Sequence, residues 1–151
     1  MILRCMAEEG SGAVSALERR KRELETLEAL YARWARGDFT SAEFFADDVV
    51  WVHDELPEGG GEFHGIRAMA AQWRRYLDAW SAFQIKAVEV IPGEAGRYVV
   101  TQLFRGKGKS SGAVTEGRTA VAITMRDGKI ARMEGYWDRD EALRAAGIGG
   151  S

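Results

Sequence analysis

The sequence lacks several things, and each absence narrows what the chain can be. A single cysteine, Cys5, excludes an internal disulfide and a thiolate-rich metal site. The two histidines, His53 and His64, stand far apart in sequence without a matching carboxylate pattern, so neither metal nor cofactor is expected. No apolar run approaches the length of a membrane span. The opening Met1–Met6 stretch is too short for a signal peptide and is soon interrupted by Glu8 and Glu9, so the expected address is cytoplasmic. Excess positive charge is also missing. With 21 Lys+Arg against 23 Asp+Glu the formal net charge is -2, which leaves nothing to neutralise phosphates and argues against a nucleic-acid partner.

What is present fits one domain of 151 residues with five tryptophans. Residues 1–16 are small, polar and glycine-containing and read as a disordered leader, with Met6 as an alternative start. From about Leu17 a helix is expected, because Leu24, Leu27, Tyr31 and Trp34 recur at three- and four-residue spacing. Gly37-Asp38 ends it. Thr40 and Glu43 suggest a capping box for a short helix near 41–46, flanked by Phe39 and Phe44 as a hydrophobic staple. Val49–His53 reads as a strand, Pro57 and Gly59-Gly60-Gly61 as a flexible loop, and Glu62–His64 as a short edge strand. A third helix follows Gly65, with Ile66, Met69, Trp73, Leu77 and Trp80 on one stripe. Strands are then expected at Phe83–Ile91, Arg97–Arg105, Glu116–Met125 and Lys129–Trp137, the last two joined by a tight Asp127-Gly128 turn. The Gly106–Gly112 loop reads as mobile. Asp138 and Glu141 start a last helix that Gly147 stops. The runs Glu18–Glu23 and Lys107–Lys109 read as solvated charge. Strands in series with helices segregated to one side make an α+β class.

This order resembles the nuclear transport factor 2-like superfamily, in particular its SnoaL-like branch. The residues that carry the resemblance are Tyr31–Asp38, Phe45–His53, Phe63–Gly65 and Arg126–Asp138 within a domain spanning 17–147. It implies a curved antiparallel sheet with a mixed edge, rolled into a cone, and helices closing its open side around a pocket. Because that fold hosts many unrelated chemistries, function has to come from the pocket residues. The base of the steroid isomerases in this superfamily falls at His53, their tyrosine near Leu30, beside Tyr31, and their acid at Arg118. Only the terminal Tyr136-Trp137 pair matches well. The trio of limonene-type epoxide hydrolases falls at Leu103, Arg105 and Gly135. A looser acid/base pair of the cyclase kind would be His53 with Arg118 or Glu116.

His53 alternates with Trp51, and the resemblance turns that side inward, where an imidazole can serve as acid or base. A hydrogen-bonded structural histidine is the plain alternative. Arg118 and Glu116 share a strand face. If that face is concave, Arg118 is an anion anchor, or else the partner of Glu116 or Glu134. Tyr31, Trp34, Trp51, Trp73, Met133 and Trp137 are the expected aromatic and apolar lining. Val121, Ile123 and Met125 would then occupy the outer face, whose cover is expected to be a second copy in a homodimer. Three functions stay open. The first is a pocket protein binding a small, partly hydrophobic molecule. The second is a cyclase-, isomerase- or hydrolase-type enzyme with His53 as acid/base. The third is a dimeric association domain working through its sheet face.

Overall fold

Leu27, Leu30, Tyr31 and Trp34 are all buried, so the apolar stripe of the first helix is the face with which it closes the sheet. A computed structural model describes residues 2–53 and 61–149, with side chains from residue 15 onward. The loop expected at Pro57–Gly60 and the Cys5 side chain lie outside the described residues. Helix α1 spans Ile2–Ala35 and so runs through most of the segment whose composition suggested a leader. It ends in a Schellman motif: Gly37 has φ 78°, and the N–H groups of Asp38 and Gly37 donate to the carbonyls of Arg33 and Trp34, each at 3.0 Å.

The next turn departs from expectation. Thr40 and Glu43 form no capping box, since the Thr40 hydroxyl bonds Asp38 and the Arg33 guanidinium takes both the Glu43 carboxylate and the Thr40 carbonyl. What remains is one 3₁₀ turn, Ala42–Phe44. Phe39 and Phe44 do not staple it: Phe39 stacks on Trp73 at 5.6 Å, while Phe44 lies under Arg33. The chain continues as β1 (Phe45–His53), β2 (Gly61–His64), α2 (Ile66–Leu77), β3 (Trp80–Pro92), β4 (Arg97–Gly108), β5 (Val114–Arg126), β6 (Lys129–Tyr136) and α3 (Arg139–Ala146). At the β5–β6 turn Asp127 and Gly128 both have positive φ, 52° and 77°, as a type I′ hairpin requires.

The six strands form one sheet in the order β2-β1-β6-β5-β4-β3. Strands β3 to β6 are consecutive antiparallel hairpins, whereas β1 joins β6 in parallel, pairing Trp51 with Met133. Helices α1 and α2 pack on the inner face. Helix α3 covers the outer one, where Ala142 and Ala146 sit on Val99, Ala120 and Ala122. The helices are therefore not all on one side. Asp138 caps α3 by accepting from the Asp140 N–H at 3.0 Å, and Gly147 ends it.

The phase of β5 corrects the sequence reading. Val121, Ile123 and Met125 point inward, into the main core, and Ala120 and Ala122 point outward, beneath α3. One residue of phase moves every side chain to the opposite face. The apolar outer patch expected to need a second copy is thus part of the core. A second correction concerns the charged run on α1: Glu23 is only 4 % exposed and accepts a 2.9 Å hydrogen bond from Tyr98. Desolvation, followed by that bond, pushes the Tyr98 phenol above its ordinary range.

Candidate functional site

Inside the cone, each wall contributes alternate residues. Strand β1 presents Trp51 and His53, β6 presents Met133 and Gly135, and Trp137 follows at the rim. Strand β5 adds Thr119 and Val121, β4 adds Gln102 and Phe104, and β3 adds Phe83 and Ile85. Trp34 of α1 and Trp73 and Tyr76 of α2 close the side. The rings interlock. Trp51 stacks on Trp73 at 5.3 Å, Phe83 stacks on Phe104 at 6.1 Å, and Trp34 lies 5.7 Å from Trp73. The void left between them is about 60 Å³. That is room for a few waters, far below the roughly 300–1,000 Å³ of a typical organic-ligand cavity. A wider apolar hollow of about 460 Å³ lies between α2 and the 3₁₀ turn, with Trp34 and Trp73 lining both spaces.

Two places in this aromatic interior are polar. At the first, the His53 ring meets Trp51 and Trp137 edge-on at centroid distances of 6.1 and 6.5 Å. Its ring also lies against the backbone of Gly135, where an added Cβ would sit 2.7 Å from His53 Cδ2. Only glycine permits that approach. At the second, Gln102 and Thr119 are directly paired across β4 and β5. The Tyr31 phenol donates to Gln102 Oε1 at 2.6 Å, and Gln102 Nε2 donates to Thr119 Oγ1 at 3.0 Å. Burial drives the Tyr31 phenol far above its ordinary value, so it stays protonated and remains a donor.

The sequence profile of the SnoaL-like domain matches residues 27–133, which cover the helix stripe from Leu27, the pocket walls as far as Met133 and most of the sheet. The chain belongs to the SnoaL-like domain family. Among curated proteins, no sequence matches it significantly. Solved structures similar to this SnoaL-like chain include TerC co-crystallized with polyporic acid, at 23% identity and TM-score 0.66, covering 83% of this chain and 97% of that one. Another is a phenazine biosynthesis-related protein from Pseudomonas aeruginosa, at 18% identity and TM-score 0.66, covering 91% and 92%. A third is a protein of unknown function from Burkholderia pseudomallei with the same nuclear transport factor 2-like fold, at 21% identity and TM-score 0.67, covering 83% and 97%. At these identities the likeness is one of fold.

Of the residues singled out from the sequence, the SnoaL-like structure brings His53, Trp34, Trp51, Trp73, Met133 and Trp137 to one pocket. Tyr31 stands behind the wall and reaches it through Gln102. Arg118 and Glu116 are exposed on the outer face, and Glu116 pairs with Arg105 at 3.4 Å. Neither lines the pocket, because the phase of β5 turns Thr119 inward in their place. Leu103 and Arg105 face outward by the same alternation on β4. Gln102 and Thr119 were missed for this reason. The inward side of β5 was marked by Val121, Ile123 and Met125, which are bulkier than the alanines of the other phase. His64 is exposed, 3.6 Å from Glu62.

Proposed function

We propose that this chain binds a small, flat, partly hydrophobic molecule inside the cone. The observation carrying this reading is the placement of polar side chains, His53 and the Gln102–Thr119 pair, in a wall that is otherwise aromatic. A core built only for stability has no need of them, since each buried polar group costs free energy unless it is satisfied. The 60 Å³ void sets the manner of entry: a ligand with two fused rings requires lining rings to turn. Trp137 is the natural one, being 44 % exposed at the rim. The co-crystal of TerC with polyporic acid supports a ligand role for this fold. The test is a nuclear magnetic resonance titration with flat aromatic compounds, following the indole N–H signals. Binding inside the cone shifts the signals of Trp34, Trp51 and Trp73 together. Failure of every compound to move them at millimolar concentration would overturn the reading.

A second reading makes His53 a general acid or base, favoured by its position in the wall between Trp51 and Trp137. Turnover of a bound compound that survives His53→Ala unchanged would remove it. Homodimerisation also stays a proposal. It now rests on Leu103 and Val114, 38 % and 53 % exposed on the part of the outer face that the α3 core does not include. Light scattering at micromolar concentration decides it, a monomer being the refuting result. No described helix is long and apolar enough to cross a membrane. The cytoplasmic address is part of the same proposal, and cell fractionation tests it.

A further inference from the structure

The Gln102–Thr119 pair is more than a satisfied buried contact, because its protons outnumber its acceptors. Tyr31 O–H is spent on Gln102 Oε1 and one Gln102 N–H on Thr119 Oγ1. Among the described residues neither the Thr119 hydroxyl proton nor the second Gln102 amide proton meets an acceptor. Thr119 is 8 % exposed, and both side chains line the pocket. The direction of the chain is set at its buried end: a fully enclosed phenol needs an acceptor, and the amide oxygen of Gln102 supplies it. That fixes the amide with its nitrogen toward Thr119. Bonds running head to tail polarise one another, so the hydroxyl at the end donates more strongly than an isolated one.

We infer that Gln102 and Thr119 form a donor fork for an acceptor oxygen, so that the pocket selects flat ligands carrying a carbonyl or an equivalent oxygen over the same rings without it. The inference rests on the proposed small-molecule role of the pocket and names the class of molecule it takes. Gln102 and Thr119 touch the ligand. Tyr31 is a positioning residue, acting only through the orientation of the Gln102 amide. A ligand without the oxygen leaves the buried Thr119 hydroxyl and the half-buried Gln102 amide unanswered, and a ligand with it satisfies both.

The test compares 1-indanone with indane, two bicycles that differ by one carbonyl oxygen, by titration of the full chain. Wild type is expected to bind 1-indanone about tenfold more tightly. Thr119→Val leaves the Gln102 amide as the only donor and should lower the ratio to about threefold, Thr119→Val combined with Gln102→Leu should bring it to about one, and Thr119→Ser should keep the wild-type preference. Tyr31→Phe should reduce the ratio without changing indane affinity, an effect that a merely structural role for the phenol does not produce. Equal binding of the two compounds by wild type, or a preference undiminished in Thr119→Val combined with Gln102→Leu, would overturn the inference and leave the pocket reading standing. If neither compound binds at millimolar concentration this inference falls, and the wider set of flat aromatic compounds decides the pocket reading.

Discussion

Replacing Gly135 by alanine probes the contact that seats His53. The new Cβ would lie 2.7 Å from His53 Cδ2, 3.0 Å from Nε2 and 3.2 Å from Cγ. Ordinary carbon–carbon contact begins near 3.5–4.0 Å, so the ring must retreat by about 1 Å. Overpacking of this kind costs about 1–3 kcal/mol. The low end applies, because His53 is the last residue of β1 and is only partly buried. Against this, alanine in a strand gains roughly 0.5–1 kcal/mol over glycine. The expected net loss is about 0–1 kcal/mol, accompanied by a shift of the His53 ring signals. The sharper assay is a double-mutant cycle in urea. In a His53→Ala background the added methyl loses its three nearest contacts, all of them imidazole atoms, so Gly135→Ala should become neutral or stabilising by up to about 1 kcal/mol. An equal cost in both backgrounds would refute the reasoning, since the penalty would then not come from the imidazole.

Two further outcomes are expected. Tyr31 has a folded-state value raised above its ordinary 10.0, so above that pH the unfolded chain loses the proton first and stability falls, by about 1.4 kcal/mol per pH unit. Tyr31→Phe lacks this term. Its deficit against wild type, about 1 kcal/mol at neutral pH, should narrow in denaturant unfolding as pH rises past about 10, and a constant deficit would count against the buried phenol. The domain division before residue 17 is a proposal that truncation tests. The described side chains ahead of Glu23 are exposed, so removing residues 1–16 should move the melting temperature by no more than about 2 °C. A loss above roughly 5 °C would show that the segment belongs to the domain.

The legible parts of the fold were those with a single buried face. Helix α1 shows its stripe because one side meets the sheet and the other meets water. Trp51 and His53 share a face because they are two residues apart on β1, and the resemblance turned that face inward, where the structure has both. Strand β5 was ambiguous for the opposite reason. Both of its faces are covered, Val121 and Ile123 by the inner core and Ala120 and Ala122 by α3, so both phases look apolar. Residue size was the remaining clue: alanines suit a close helix, and bulkier side chains fill a cone. The capping box failed because its two members had stronger local partners, Asp38 and Arg33. Glu23 was hidden in a run of charge, and nothing in the sequence announces Tyr98 as its partner across the fold. The small void follows from ring packing, which spacing does not encode.

The parallel seam between β1 and β6 also has a kinetic consequence. Strands β3 to β6 are joined by short turns and can pair locally, but setting Trp51 beside Met133 requires closing a loop through most of the domain. Such non-local pairing is entropically slow, so contact order places this seam late in folding. His53 and Gly135 meet across it. A partly folded chain therefore has the meander but not the ligand wall, and a ligand that contacts both sides of the seam selects only chains that have finished folding.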